Sequence, residues 1–325
     1  MQVLVTGGAG YIGSHMALVL RRAGHGVIVV DDLSTGHRDA VPAGTPLVEA
    51  SVADPARMAD VLRTHRVDAI LHFAGRIQVG ESVREPRLYY EGNVAAAIAL
   101  LGSALDAGVG CFVLSSTAAV YGDPLRVPID EAHPTSPINP YGVTKLAIER
   151  MLEDYGHAYG LRWAALRYFN AAGADVDAGL DERHEPETHL VPLVLDAALG
   201  RRESVTLFGD DYDTPDGTCI RDYVHVLDLC DAHLAALERL VSGGQVGALN
   251  LGTGTGHSVM QVIDTVQRVS GREVRVVRGP RRPGDPPRLV ASPDAAARVL
   301  GWRATRRSLE EIVRDAFLVR SATHR

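Results

Sequence analysis

Cysteine is scarce. Three occur in 325 residues (Cys111, Cys219, Cys230), an odd number with no C-x-x-C pair. That excludes a disulfide framework and a thiolate zinc site, and it fits a reducing compartment. Basic charge is also short. Lys and Arg total 33 against 40 Asp and Glu, for a net charge of −7. The basic footprint of a nucleic-acid or anionic-membrane binder is therefore missing. No apolar run is expected to reach the ~20 residues of a membrane span, and no low-complexity tract suggests disorder. The 13 histidines include no H-x-x-x-H or H-E-x-x-H pair on a helical pattern, so no metal site is expected. The first strand pattern begins almost at Met1, so no signal peptide is expected either. These absences lead to the expectation of a soluble cytoplasmic protein with no nucleic-acid or membrane partner.

What is present begins at once. Val3-Leu4-Val5-Thr6 reads as a strand, Gly7-Gly8-Ala9-Gly10 as a glycine turn, and Ile12, Met16, Val19 and Leu20 as the apolar face of a helix. Strand, glycine turn and helix form the context of a dinucleotide fingerprint. Glycines let the backbone turn tightly against a pyrophosphate, and the helix N-terminus offers N–H groups and a positive dipole end. The spacing Gly7-x-x-Gly10-x-x-Gly13 is one residue wider than the usual form. A second apolar run, Val27 to Val30, ends at Asp31 and Asp32. A carboxylate there accepts both adenosine ribose hydroxyls and repels a 2′-phosphate, which points to NAD rather than NADP.

Strand and helix patterns then alternate. Pro46 to Glu49, Val67 to Phe73, Cys111 to Ser115 and Leu161 to Arg167 read as strands. Pro55 to His65, capped by Asp54, reads as a helix, as do Ser82 to Ala107 with Pro86 in its first turn and Asn139 to Tyr159. This order implies an α/β fold with a doubly wound parallel Rossmann sheet and the site along the strand C-termini. The rhythm changes near Tyr168. An acidic loop (170–187) precedes a helix from Leu190 to Leu199, a strand from Val205 to Phe208, and a helix from Asp228 to Leu240. The expectation is an NAD-binding domain over 1–168 and a smaller mixed α/β substrate domain over 169–325, with part of 221–245 packing back on the first.

Tyr141-Gly142-Val143-Thr144-Lys145 opens the helix after Pro140. Positions i and i+4 share a face, so Tyr141 and Lys145 can address one cofactor. A phenol of pKa near 10 is a poor base at neutral pH, but an ammonium and a cationic nicotinamide beside it lower that value. Ser115-Ser116-Thr117 ends the preceding strand, where a hydroxyl can bridge substrate and Tyr141.

The fingerprint, the hydroxyls at the strand end and Tyr-x-x-x-Lys resemble the extended short-chain dehydrogenase/reductase family. Further stretches resemble its UDP-glucose 4-epimerase branch from Gln2 to about Arg314: 72–75, 79–83, 115–122, Leu166-Arg167-Tyr168-Phe169-Asn170, 217–226 and Arg281-Arg282-Pro283-Gly284-Asp285. The resemblance implies interconversion of UDP-glucose and UDP-galactose, with tightly bound NAD, a UDP-sugar substrate and a homodimer. It implies Thr117, Tyr141 and Lys145 as catalytic residues. It places Gly7, Gly10, Tyr11, Ile12 and Gly13 at the pyrophosphate and Asp31 with Asp32 at the adenosine ribose. Ser51 and Val52 fall near adenine, and Phe73, Ala74, Asn93, Ser115 and Tyr168 along the rest of the cofactor. It gives the substrate Asn170, His189, Leu190, Phe208, Arg221, Tyr223, Arg282 and Asp285. Arginine forks suit a diphosphate.

Some positions depart from the branch. Ser51 stands where an acidic residue contacts adenine, Ile77 where a lysine is common, and Thr188-His189 where two asparagines precede Leu-x-Pro. Leu289 takes the place that limits the sugar pocket in relatives, and its intermediate size leaves N-acetylhexosamine substrates open; glucuronate and pentose substrates stay open because they differ only in the carbon-5 substituent. A 4,6-dehydratase needs an acid–base pair where this chain has Ala118 and Ala119. A non-catalytic NAD sensor usually lacks the tyrosine or the lysine. The helices over 82–107 and 139–159 carry apolar residues (Ala95, Ala96, Ala97, Leu100, Leu101, Leu152) expected to pair with a second copy.

Overall fold

A computed structural model of the chain describes residues 1–282 and 285–322. Pro283 and Gly284 of the Arg-Arg-Pro-Gly-Asp motif lie outside the described residues. The chain starts with β1 (Gln2–Thr6), α1 (Tyr11–Arg22), β2 (Gly26–Asp31), β3 (Leu47–Glu49), α2 (Pro55–Thr64) and β4 (Ala69–His72). Asp54 caps α2 by accepting the Arg57 N–H, and Pro55 sits where no N–H is needed. There follow α3 (Val79–Arg84), α4 (Pro86–Tyr89), a π-helical segment (Tyr90–Ala95), α5 (Ala96–Asp106), β5 (Cys111–Thr117), α6 (Pro140–Tyr159), β6 (Arg162–Tyr168) and β7 (Asn170–Ala172). Asn139 caps α6 through the Gly142 N–H, and Gly160 ends it in the left-handed conformation. The remainder is α7 (Leu190–Ala198), β8 (Val205–Phe208), β9 (Ile220–His225), α8 (Val226–Val241), β10 (Gly247–Leu251), β11 (Gly256–Ser258), α9 (Val259–Ser270), β12 (Val276–Gly279), β13 (Arg288–Leu289), α10 (Asp294–Leu300) and α11 (Leu309–Ala322).

The seven-stranded sheet runs β10-β6-β5-β4-β1-β2-β3, with every neighbour parallel. Side chains alternate across it, as the strand period requires. Val3 and Val5 face a core shared with Met16 and Leu20 of α1 and with Leu229, Ala236 and Leu237 of α8. Leu4, Ile28 and Ile70 face the opposite core, with Met58 of α2, Leu100 of α5 and Ile148 and Leu152 of α6. Each fully buried aliphatic side chain contributes roughly 1.5–3 kcal/mol. A third core joins α7, α9 and α11 with β8 and β9.

The structure departs from the sequence expectations in three places. The helix over 82–107 is not continuous, because Glu85 (φ −128°, ψ 60°) leaves helical space before Pro86. The proline ring crowds that residue out of the α region. Residues Pro86–Asp106 then form one helical stretch, the single described one with the length and apolar composition of a membrane span. Its inward residues Tyr89, Asn93, Ala96, Ala97, Leu100, Leu101 and Ala104 are buried. Of the residues expected to pair two chains, Ala96, Ala97, Leu100, Leu101 and Leu152 therefore belong to the chain's own core, while Ala95 is exposed. Finally, the sheet borrows an edge strand, β10, from beyond residue 241, where short alternating residues gave no strand signal.

Candidate active site

The fingerprint turn is shaped so that only glycine fits. Gly7 has φ +69°, and a β-carbon there would lie 2.5 Å from the Ala74 nitrogen at the end of β4. One at Gly13 would lie 2.1 Å from the Gly7 carbonyl oxygen. Gly10 caps α1 without any side-chain hydrogen bond, and the first turn has no acidic residue. The helix N-terminus thus presents its dipole to an anion with no carboxylate competing. Tyr11 is buried and its hydroxyl donates to the Gly173 carbonyl at 2.7 Å, while Ile12 packs on the α1 core.

Asp31 ends β2 nearly buried, and burial raises its carboxyl. The N–H groups of Ala9 (2.9 Å) and Leu33 (2.8 Å) oppose that rise. Asp32 instead closes an exposed turn by accepting from Ser34, and exposed Ser51 accepts the Ala53 N–H. Val52 is a core residue under α2. Phe73 packs on the His233 ring at 4.8 Å. Asn93 straps the turn after β4, accepting the Arg76 N–H at 2.8 Å and donating to the Arg76 carbonyl and the Thr144 hydroxyl. The narrow glycine cradle, the free helix end and the carboxylate at the β2 tip fit a dinucleotide such as NAD.

The catalytic candidates meet because of another glycine. A β-carbon at Gly142 would lie 2.5 Å from the Ala119 carbonyl oxygen and 2.9 Å from Pro137. Its absence lets the start of α6 press against the turn after β5, bringing Tyr141 within reach of Thr117. Burial pushes the Tyr141 phenol up to about 12, and its hydrogen bond with Thr117 pulls the other way. The Lys145 Nζ donates to the Ser115 carbonyl at 2.9 Å. Burial brings this ammonium down to about 8, with Glu149 opposing. Ser115 and Tyr168 share a hydrogen bond between hydroxyls.

Sequence reasoning missed what lies beneath this pair. Glu149, one turn beyond Lys145, takes Arg167 Nε at 3.0 and 3.1 Å and the Ser116 hydroxyl. Arg167 also donates to Tyr121, which bonds Asn250 of β10. The i+4 spacing from Lys145 was the available signal for Glu149; its partner on β6 had none.

Around β9 lie several of the residues expected at the substrate. Asn170 pairs with Tyr223 across β7–β9, and Leu289 pairs with Arg221 across β13–β9. Buried Arg221 is held by Asp285 and by the Ile220 carbonyl. Burial raises the Tyr223 phenol. Arg282 lies over the Phe208 ring at 4.0 Å. Leu289 and Phe169 pack against the cluster of Ala118, Val120, Tyr121 and Ile129 that begins directly after Thr117. Leu190 starts α7 over the third core. His189 is held elsewhere: its Nδ1 lies 2.8 Å from Glu182 and 3.2 Å from Glu187. Burial alone would lower this imidazole, but the two carboxylates raise it to about 10.

The sequence profile of the NAD dependent epimerase/dehydratase family matches residues 3–252. A UDP-glucose 4-epimerase of Rhizobium meliloti (strain 1021) is 53% identical over 300 residues, which is 92% of this chain and 91% of that protein. Among solved structures, the UDP-glucose 4-epimerase from Brucella ovis in complex with NAD superposes with a TM-score of 0.95 at 48% identity, covering 97% of each chain. That from Bifidobacterium longum, in complex with NAD+ and UDP, gives 0.93 at 35% identity, covering 99% of this chain and 98% of that one.

Proposed function

The chain belongs to the NAD dependent epimerase/dehydratase family, and from that premise we propose that it interconverts UDP-glucose and UDP-galactose. The observation that carries this reading is the half-buried Thr117–Tyr141 pair, hydrogen-bonded to each other where β5 meets the start of α6. NAD, when bound, supplies reversible hydride transfer at carbon 4 of the sugar. Gly7, Gly10, Gly13, Asp31, Asn93 and Lys145 would hold it.

Tyr141 removes the proton of the sugar 4-hydroxyl, with the Thr117 hydroxyl bridging the two. Its high phenol pKa has to fall for this step, and a cationic ring beside it has the required sign. The 4-keto sugar then presents its other face, and Tyr141 returns the proton to the carbon-4 oxygen. Such a turn needs a firm anchor and a loose sugar, so binding energy belongs on the nucleotide. Arg221, Arg282, Asn170, Tyr223 and Asp285 supply the anchor, and Leu289 and Phe169 bound the sugar.

The protein works in the cytoplasm as a homodimer. Exposed apolar residues on the helical layer (Val83 at 62%, Ile98 at 50%, Tyr159 at 64%) support pairing there. An NAD-binding domain over 1–168 and a substrate domain over 169–325 divide the labour. The test is purified protein with UDP-galactose and no added nicotinamide. UDP-glucose should form, and denatured protein should release NAD. Bound NAD with no product would overturn the UDP-hexose reading.

A further inference from the structure

The loop between β7 and α7 gathers four side chains that the reaction does not need: Glu182, His184, Glu187 and His189. Glu182 Oε1 lies 2.8 Å from His189 Nδ1 and 3.2 Å from His184 Nδ1. Glu187 Oε1 lies 3.2 and 3.7 Å from the same two nitrogens. All four ligand atoms are within 4.8 Å of one another. We propose that they form a structural site for a divalent cation, zinc by preference.

The donor set is two imidazoles and two carboxylates, which suits zinc among the borderline metals. With metal–ligand bonds of about 2.1 Å, a tetrahedron has edges of about 3.4 Å. The four nitrogen–oxygen separations fall on either side of that length. Hydrogen bonding accounts for only part of the cluster: His189 Nδ1 bonds Glu187 Oε1 at 3.2 Å. The His184 Nδ1 is buried and has no hydrogen-bond partner, although two carboxylate oxygens are close by. Charge also balances, since two carboxylates and two neutral imidazoles neutralise a dication. Without a cation, the same balance requires both rings to carry a proton.

The surroundings hold the ligands in place. Glu187 Oε1 accepts the N–H groups of Thr188 (2.8 Å) and His189 (2.9 Å). Arg320 of α11 donates to the Glu182 carbonyl at 2.8 Å, and Arg183 bonds Asp39 twice at 3.0 Å. The His184 ring meets the edge of Tyr11 from the fingerprint, 6.4 Å between centres. Glu182 and Glu187 are nearly buried, and neither histidine is largely exposed, so the site is closed as structural sites are. A cation here would fasten the start of α7 to the fingerprint helix. A search for helical metal-binding pairs passes over these residues, because E-x-H-x-x-E-x-H is a loop spacing and not a helical one.

The test uses the untagged full chain, stripped with a chelator and reloaded. About one zinc per chain should survive gel filtration, measured by elemental analysis. Cobalt(II) should give the intense visible bands of a tetrahedral site. His184→Ala and Glu187→Gln should each weaken binding roughly tenfold or more. Zinc should raise the unfolding midpoint of the stripped wild type. Folded wild type that retains no zinc and gives no tetrahedral cobalt bands overturns the site. So does a folded variant that binds as tightly as wild type. None of these readouts depends on epimerase turnover, so failure here leaves the proposed reaction untouched.

Discussion

Gly142 and Ala119 stand so close that a β-carbon at 142 would lie 2.5 Å from the Ala119 carbonyl oxygen. Gly142→Ala should push the start of α6 outward and separate Tyr141 from Thr117. Displacements near 1 Å cost on the order of 10²-fold in rate. A loss of kcat of about that size, with NAD retained, is expected from steady-state kinetics. An unchanged kcat would show that the contact does not set the catalytic geometry.

Tyr141→Phe keeps the ring and removes the proton carrier. The expected loss in kcat is about 10²–10⁴-fold. The variant should still hold NAD, measured by release on denaturation. Activity within tenfold of wild type would assign the proton step to another group.

Glu149→Ala leaves the Arg167 guanidinium buried without its carboxylate. Removing one member of a buried pair costs roughly 3–5 kcal/mol. Urea unfolding should register that loss even where NAD still binds. A cost below about 1 kcal/mol, typical of exposed pairs, would mean that the arginine finds water or another partner.

Stability should fall at alkaline pH. Tyr11, Tyr141, Tyr168 and Tyr223 are all raised above 10.0, chiefly by burial. A group whose folded pKa exceeds its unfolded one contributes stability that is complete below the unfolded pKa and lost as pH climbs toward the folded value. For Tyr141 that window runs from 10.0 to about 12. Urea midpoints measured at the two ends of this window should drop steadily. A flat profile would contradict the burial of these phenols.

Leu289→Ser should open the sugar pocket where it meets Ala118, Val120 and Phe169. Pocket changes of this size shift specificity about 10- to 200-fold. The ratio of kcat/KM for UDP-N-acetylglucosamine over UDP-glucose should rise within that range. No change would place the limit of the pocket elsewhere.

The legible parts of the fold are those whose cause is local. The glycines of the fingerprint, the caps Asp54 and Asn139, and the Tyr141–Lys145 spacing carry their geometry within a few residues. Val27 to Asp31 announced its strand because both faces of a parallel strand are buried. The illegible parts depend on partners far along the chain. Arg167 reads as an ordinary charge at a strand end until Glu149 meets it from α6. The expected long helix breaks near its start, at Glu85, where proline sterics override an apolar period. His189 fell among the substrate contacts because its neighbours in sequence follow the branch pattern, while its partners Glu182 and Glu187 are defined only by the folded loop. For Tyr141 a sequence shows the neighbouring lysine and not the desolvation that raises its phenol.

Strand β10 sits at one edge of the first sheet, and α8 covers one of its faces, yet both come after residue 225. A ribosome making this chain therefore releases the substrate-side strands β7, β8 and β9 before the cofactor-side sheet has its last strand. Leu166 and Val113 stay without their α8 cover until then. The cofactor half cannot close first and wait for the other. A nascent chain stopped near residue 168 should expose an apolar sheet face and an unpaired β6 edge, both hazards for aggregation. The chain should therefore be born as a single folding event.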